Sequence, residues 1–313
     1  MIEKVAINRV SSNINLLKNF VDSRAISDFK REVNQSKPEA FMKPTIVLED
    51  QEIRATAPSI FANQAWAENS QNYRFLPTIS VVNALRDSGY NVVKATQSRC
   101  RIEGKGEFTK HMIRLRHSTY MNPLNIGDEV PEIVLVNSHD RSSAFKLMLG
   151  IFRLVCSNGM VVASEKIESL SVRHTGSDNL LNEVIDVTAE IINEAPKAIE
   201  QIHRFKGIIL NPDEQVAFAS GAKELLTTSI DIKPERLLNV RRYNDYGNPD
   251  GSRDIWKTFN VVQENMIRGG VRGVNAKNKL MRTREVRSVQ GDININKALW
   301  KYAEEIARLK TQQ

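Results

Sequence analysis

Three strand-like stretches follow one another without an intervening helix, and this order constrains the fold more than any other feature of the chain. They span residues 91–103, 107–117 and 132–138, and Gly104-Lys105-Gly106 between the first two is typical of a hairpin turn. Consecutive strands with short connections pair antiparallel, since a parallel pair needs a long crossover. We therefore expect an antiparallel meander sheet of three to five strands.

Along the chain, one helix is expected before these strands and another after them. Pro77 is placed to begin a helix that Gly89 ends. The segment 142–155 is apolar nearly all round, which predicts a buried helix with Asp140 as its N-cap. The predicted order of the core is thus β-β-β-α.

Beyond residue 178, apolar residues recur mostly at helical spacing. Pro196 is expected to kink or break the first of these helices, whereas Pro212 and Pro234 are placed to begin two more. Gly269-Gly270 should end a fourth helix, and Asp292 should cap a last one. Strands that precede helices, rather than alternate with them, indicate an α+β fold with a mostly helical C-terminal half.

We divide the chain into a helical arm over residues 1–40, an α+β core over 41–175 and a helical domain over 176–313. A chain of 313 residues is long enough to bury a core without disulfides, and its 2 cysteines form no disulfide framework. No apolar run approaches the ~18 residues of a membrane span, and the first residues lack the apolar segment of a signal peptide. The sequence predicts a cytoplasmic protein without membrane association.

The net charge of +7 is concentrated in two segments. Residues 71–120 contain nine basic and three acidic residues, residues 241–290 contain eleven basic and five acidic ones, and the remaining 213 residues carry a net charge of −5. Such clustering on an otherwise acidic chain is typical of a protein that binds a polyanion. Two solvated surfaces without a ligand are the alternative.

Strand register decides whether the first basic segment forms a surface. If residue 101 faces residue 108, the basic side chains share one face and apolar ones, including Cys100 and Ile102, share the other. A slip of one residue would mix charge into both faces and bury arginine without a partner. We therefore predict a basic groove on one face. Its candidate nucleic-acid-binding residues are Arg99, Arg101, Lys105, Lys110, Arg114 and Arg116.

The second basic segment, residues 266–287, intersperses cations with glycines. This composition predicts a flexible loop whose backbone and side chains both reach phosphates, or else a disordered basic loop. Its candidate nucleic-acid-binding residues are Arg268, Arg272, Lys277, Lys279, Arg282 and Arg284.

Catalytic and metal-binding patterns are missing. Ser138-His139-Asp140 contains the residues of a catalytic triad, but neighbours on an extended chain point to opposite faces. The five histidines and two cysteines lack the spacing of metal ligands, and no ATPase-type phosphate loop is present. Asp128-Glu129 could hold Mg²⁺ in a nuclease, which is a less favoured alternative. We expect no catalytic residue, metal or cofactor.

Two pairs of segments resemble a phage- and plasmid-borne family of unknown function, the phage/plasmid-like proteins. They are 136–144 with 150–159, and 256–265 with 289–299, and the resemblance covers about residues 70–305. It implies a protein of a mobile element that acts inside a bacterium. We assign structural roles, a helix cap and a buried turn, to its motif residues: Ser138, His139, Asp140, Ser142, Arg153, Cys156, Asn158 and Gly159.

A second resemblance concerns the order of elements. A helix, Gly89-Tyr90-Asn91, three strands and a packed helix resemble the core of the single-strand annealing superfamily of recombination mediators and phage annealases. This resemblance implies a non-catalytic homo-oligomer, with a ring as one form, that holds single-stranded DNA in a basic groove and anneals complementary strands. The competing hypothesis is an antagonist of host defence that binds a protein partner.

Overall fold

The computed structural model describes residues 46–67, 75–121, 128–153, 159–161, 171–172, 180–226, 228–241 and 246–312. The predicted arm over 1–40 lies outside these residues, as do Cys156 and Asn158. The chain divides into two compact units, and we call residues 1–152 with 164–196 the sheet unit and residues 153–163 with 197–313 the helical unit. The three-part division drawn from the sequence stays a prediction.

The sheet unit contains two short helices followed by strands. The elements up to the division at Pro196 are α1 (Asp50–Thr56), α2 (Thr78–Asp87), β1 (Tyr90–Gln97), β2 (His111–His117), β3 (Glu129–Asn137), β4 (Phe145–Arg153), β5 (Gly159–Val161), β6 (Ser171–Val172) and the first part of α3 (Leu180–Gly207). Of these, β5 belongs to the helical unit.

The four long strands lie side by side in chain order, which confirms the predicted meander. β1 pairs antiparallel with β2, β2 pairs antiparallel with β3, and β4 lies beside β3. β6 pairs antiparallel with β4, and both α1 and α2 pack against β1. The buried apolar side chains of this unit include Ile53, Val81, Leu85, Val92, Ile113, Leu115, Leu135, Phe145 and Leu147.

The helix predicted over 142–155 is wrong, because Phe145–Arg153 forms strand β4. A continuous apolar run fits a fully buried strand as well as a buried helix, and periodicity cannot separate the two. Along this run Phe145, Leu147, Leu149 and Ile151 alternate with other residues at a period of two, and Gly150 disfavours a helix. The observed core order is therefore helix followed by four strands.

The hairpin between β1 and β2 has a long loop, so the predicted pairing of residues 101 and 108 does not form. Asn91 lies opposite Arg116, the register shifts after Val92, and the ladder ends at Gln97 opposite His111. Side chains hold the loop instead: the Gln97 Nε2 donates to the Gly106 carbonyl at 3.0 Å, and the Thr109 hydroxyl donates to the Ser98 carbonyl at 3.0 Å. The predicted apolar face fails as well, since Ile102 is exposed.

The helical unit continues with short strands and longer helices, so the α+β class is confirmed. Its elements after α3 are β7 (Ile209–Leu210), α4 (Pro212–Lys223), a 3₁₀ turn (Pro234–Leu238), β8 (Arg253–Asp254), α5 (Ile255–Arg268), β9 (Arg272–Val274), β10 (Leu280–Arg282) and α6 (Val289–Thr311).

Several helices begin or continue at other residues than the sequence predicts. Pro212 does begin α4, with the Asn211 side chain accepting from the Glu214 N–H, but Pro234 begins only a 3₁₀ turn. α3 runs through Pro196 without a break. Ser288 caps α6, so the predicted cap at Asp292 is wrong; that residue lies in the first turn.

Aromatic side chains form the centre of the helical unit. The Phe205 and Phe259 rings lie 5.3 and 6.4 Å from that of Trp300, and all three side chains are buried. A buried hydrogen bond of 2.6 Å from Gln263 to Asn296 also joins α5 to α6. These contacts fix α5, whose C-terminal end supports the second basic segment.

Candidate nucleic-acid interface

Two arginines of the first basic segment are buried rather than exposed. Arg114 and Arg116 lie on β2, which runs between β1 and β3 and whose seven residues are all buried. Both pair with Glu132 on β3, at 2.5 Å for Arg114 Nε and 2.6 Å for an Arg116 terminal nitrogen. Their guanidinium groups also lie over the Phe152 ring, 4.8 and 4.5 Å from its centroid.

Glu132 explains why the predicted groove is absent here. Burying an arginine is costly when it has no partner, but a hydrogen-bonded carboxylate offsets much of that cost. Burial lowers the pKa of Arg116, and Glu132 opposes that shift, so the charged pair persists inside the sheet. Arg114 and Arg116 are thus paired inside the sheet and do not form the floor of an open groove.

The other candidates of this segment do not form one surface in register. Arg99 and Arg101 are exposed in the loop 98–110, outside any strand. Lys105 lies 3.4 Å from the Asp140 carboxylate. Lys110 is half-buried, and burial with nearby Lys146 lowers its pKa although Asp140 opposes this.

The motif around Ser138 shapes the loop between β3 and β4. The Ser138 hydroxyl accepts from the Ser143 N–H at 2.9 Å, and Asp140 accepts from the Ser142 N–H at 3.0 Å. The backbone N–H of His139 donates to the Phe108 carbonyl at 2.8 Å. A structural role fits these contacts, but the predicted role as a helix cap is wrong because no helix follows. Of the remaining motif residues, Arg153 is buried at the end of β4 and Gly159 begins β5.

A buried polar cluster joins this motif to α2. The Thr78 hydroxyl lies 2.8 Å from the His111 Nε2 and 3.3 Å from the His139 Nε2, and the Asn137 amide donates to it at 2.9 Å. Burial lowers the pKa of His111 to about 4. His111 and His139 are both fully buried, so this cluster lies within the core of the sheet unit.

The second basic segment forms a hairpin, which replaces the predicted flexible loop. β9 and β10 pair antiparallel, with Arg282 opposite Arg272 and Leu280 opposite Val274. In the turn, the Asn275 side chain accepts from the Lys277 and Lys279 N–H groups, each at 3.0 Å. Five of the six candidates are exposed: Arg272, Lys277, Lys279, Arg282 and Arg284. The sixth, Arg268, pairs with Glu264.

Two glycines bring the chain close to itself at the base of this hairpin. Gly269 ends α5 with φ +63° and ψ −150°, and a Cβ there would collide with the Arg284 backbone. A Cβ on Gly273 would collide with the Asp231 carbonyl. These glycines therefore serve close packing, which positions the hairpin.

Three carboxylates near the hairpin pair with cations outside the exposed five. Within the described part of the chain, no ion pair joins the exposed five to a carboxylate. The pairs are Glu264 with Arg268 at 3.2 Å, Asp231 with Lys223 at 2.7 Å and Glu285 with Arg287 at 3.1 Å.

A pocket of about 420 Å³ lies at the base of the hairpin. Among the residues that the structure describes, four arginines line it and no carboxylate does. None of these arginines forms an ion pair with a carboxylate in the part of the chain that the structure describes. The lining residues are Arg236, Asn239, Arg241, Asn265, Gly270, Val271, Arg272 and Arg282.

One buried side chain organises the pocket wall. Asn265 on α5 donates to the carbonyls of Leu237 and Asn239, at 2.8 and 2.9 Å. Its oxygen accepts from the Arg241 Nε at 2.7 Å, and a terminal nitrogen of Arg241 donates to the Gly269 carbonyl at 2.5 Å. The Arg241 guanidinium is thus held in one orientation with further N–H donors left over.

Sequence reasoning missed Arg236, Arg241 and Asn265. The two arginines lie 32 and 27 positions before α5 ends at Arg268, and nothing in their spacing marks them as neighbours of the hairpin. Asn265 closes the segment 256–265 that carries the family resemblance, which is the signal that could have drawn attention to it.

Among the residues with described positions, no group of three or more His, Cys, Asp and Glu is placed to hold a metal ion. Within that same part of the chain, no helix combines the length and the apolar character that crossing a membrane requires.

The chain has relatives of unknown function. A family model described as Domain of unknown function (DUF932) matches residues 66–300, a span that includes the hairpin and the pocket. The UPF0380 proteins YafZ and YfjQ of Escherichia coli (strain K12) are 36% and 35% identical to this chain over 259 residues, which is 81% of the chain and 89% of each relative. No solved structure matches the chain. Since the family model covers most of its length, the chain belongs to the DUF932 family.

Proposed function

We propose that this protein binds single-stranded DNA through the β9–β10 hairpin and acts without covalent chemistry. The observation that carries the proposal is the set of five exposed cations on and next to the hairpin, near which three carboxylates pair with other cations. Cations in such an arrangement neutralise phosphates and release counterions, which supplies most of the affinity for nucleic acid.

Two exposed apolar side chains favour a single strand over a duplex. Leu280 is 74% exposed and Met281 is 40% exposed on the strand that carries Arg282. In a single strand the faces of unstacked bases are open to apolar contact, whereas in a duplex they are stacked inside. Cations beside apolar side chains therefore suit a chain of phosphates with accessible bases.

Strand annealing and assembly into a homo-oligomer remain predictions. The resemblance to annealases includes a packed helix over 142–155, but Phe145–Arg153 within that segment forms strand β4. The case for annealing now rests on the hairpin alone: cations that screen phosphates while bases stay accessible would lower the repulsion between complementary strands. A location in the bacterial cytoplasm is proposed on the same grounds, because that is where such a strand would be met.

Paired double variants test the proposal. The affinity for a labelled DNA oligonucleotide is measured by fluorescence anisotropy for two double variants, Lys277→Ser/Lys279→Ser and Arg99→Ser/Arg101→Ser. Each double variant removes two exposed cations that lie outside the strands. We expect the first pair to weaken binding roughly tenfold at low salt and the second to change it little. Binding that depends on the second pair instead, or no binding by the unaltered protein, would overturn the proposal.

A further inference from the structure

We infer that the arginine pocket at the base of the hairpin is a site for a phosphomonoester, such as the terminal phosphate of a DNA strand or of a free nucleotide. If the phosphate comes from the end of a DNA strand, the inference rests on the proposed function; if it comes from a free nucleotide, it does not. The pocket shares Arg272 and Arg282 with the hairpin, whereas Arg236 and Arg241 belong to the pocket alone.

Charge is the first argument for this ligand. Arg236, Arg241, Arg272 and Arg282 converge on one cavity, and no carboxylate is found among its described lining residues. A terminal phosphate carries close to two negative charges and three acceptor oxygens, whereas a phosphate within a strand carries one charge. Guanidinium groups bind such oxygens in pairs, which makes arginine the residue suited to this group.

Preorganisation is the second argument. Arg241 is held by Asn265 and by the Gly269 carbonyl, so that its orientation is set before any ligand enters. Asn265 is 3% exposed and spends its amide donors on the backbone at Leu237 and Asn239. A binding group fixed in this way loses little conformational entropy on binding.

Size is the third argument. A volume of about 420 Å³ exceeds what one phosphate needs and falls in the range of small-ligand sites. Asn239 and the apolar Val271 line the same cavity, so it offers uncharged contacts to a sugar or base attached to the phosphate. The space beside Gly270 is unfilled, because the nearest atom to a Cβ built there would be an Arg241 nitrogen 4.0 Å away.

The test compares oligonucleotides of one sequence that differ only at their ends. Affinities are measured by anisotropy for a 5′-phosphorylated, a 3′-phosphorylated and an unphosphorylated strand, and deoxyadenosine 5′-monophosphate and inorganic phosphate are titrated as competitors. We expect at least one terminal phosphate to tighten binding by about tenfold or more, since a charged hydrogen-bonded pair contributes on this order. Competition by the mononucleotide that removes this gain would assign the site to nucleotides in general, and gain without competition would assign it to strand ends.

Matched variants locate the effect. Arg236→Gln should abolish the gain from the terminal phosphate, Arg236→Lys should keep part of it, and both should bind the unphosphorylated strand as before. Lys233→Gln makes the same charge change on an exposed residue outside the pocket and should keep the full gain. Equal affinity of the unaltered protein for all three strands would overturn the pocket inference while leaving strand binding intact. If no strand binds, the proposed function fails. Calorimetric titration with deoxyadenosine 5′-monophosphate then still tests whether the pocket binds a phosphomonoester.

Discussion

At the scale of single residues, the partner of a charge decides its role. Arg114 and Arg116 lie on a strand whose alternation predicts an exposed basic face. Both are instead buried in the sheet, where they pair with Glu132 on the next strand. The pairing of β2 with β3 creates that contact, and it is not written into the spacing of either strand. Charge pattern alone could not separate these arginines from the exposed ones of the hairpin.

Glu132→Gln should therefore destabilise the protein strongly. The change leaves two buried guanidinium groups without their carboxylate, and breaking such a pair costs about 3–5 kcal/mol. Urea unfolding measures the free energy. Glu285→Gln is the control, since its pair with Arg287 is exposed and should contribute less than about 1 kcal/mol. Equal effects of the two variants would contradict a stabilising role for the buried pair.

Acid should also destabilise the fold through His111. Burial lowers its pKa from 6.5 to about 4, so the unfolded state binds its proton first as the pH falls. The stability that the neutral ring contributes is complete above pH 6.5 and is lost as the pH falls towards 4, up to about 3 kcal/mol in total.

The pH dependence of the free energy of unfolding tests this, with His111→Gln as the comparison. The variant should be less stable at neutral pH, because hydrogen bonds to Ser59 and Thr78 change, but its stability should fall less between pH 6.5 and 4. Parallel curves for the two proteins would show that another group titrates.

At the scale of elements, close packing positions the basic hairpin. Gly269 combines a φ of +63° with a ψ of −150°, a region that is essentially restricted to glycine, and its Cα faces the Arg284 backbone. The hairpin therefore leaves α5 at a fixed angle. Its cations are presented by a built element and not by a free loop.

Gly269→Ala should release this arrangement and weaken both stability and DNA binding. Gly104→Ala is a matched control, because Gly104 has a φ of +73° but nothing within 4 Å of its Cβ position. We expect the control to cost about 1 kcal/mol from its backbone alone, and Gly269→Ala to cost more and to lower the affinity for DNA as well. Equal losses in thermal unfolding would contradict the packing role.

The sequence predicts features that depend on neighbouring residues, such as helix starts, but not contacts between residues far apart in the chain. Pro77 lies immediately before α2, Asn211 and Pro212 begin α4, and the meander follows from short connections between strands. The apolar run over Phe145–Arg153 predicts a helix but forms a strand, because a buried strand and a buried helix share an apolar composition. The basic hairpin residues were found by composition, whereas Arg236 and Arg241 join them only through the fold.

At the scale of the whole molecule, net charge conceals two different outcomes. Both basic segments carry the same excess of charge, but one is divided among ion pairs and a loop, while the other forms an exposed hairpin with an arginine pocket at its base. The DUF932 model covers both segments, so family membership does not choose between them. The choice of the hairpin rests on burial and on ion pairing.

The salt dependence of binding to single-stranded DNA tests this choice most directly. Each phosphate contact contributes about −0.7 to the slope of log K against log salt, so roughly five hairpin contacts predict a slope near −3.5. Lys277→Ser/Lys279→Ser should reduce the magnitude of that slope by about 1.4, and Arg99→Ser/Arg101→Ser should leave it unchanged. A slope that changes only with the second pair, or binding that is insensitive to salt, would contradict the assignment of the interface to the hairpin.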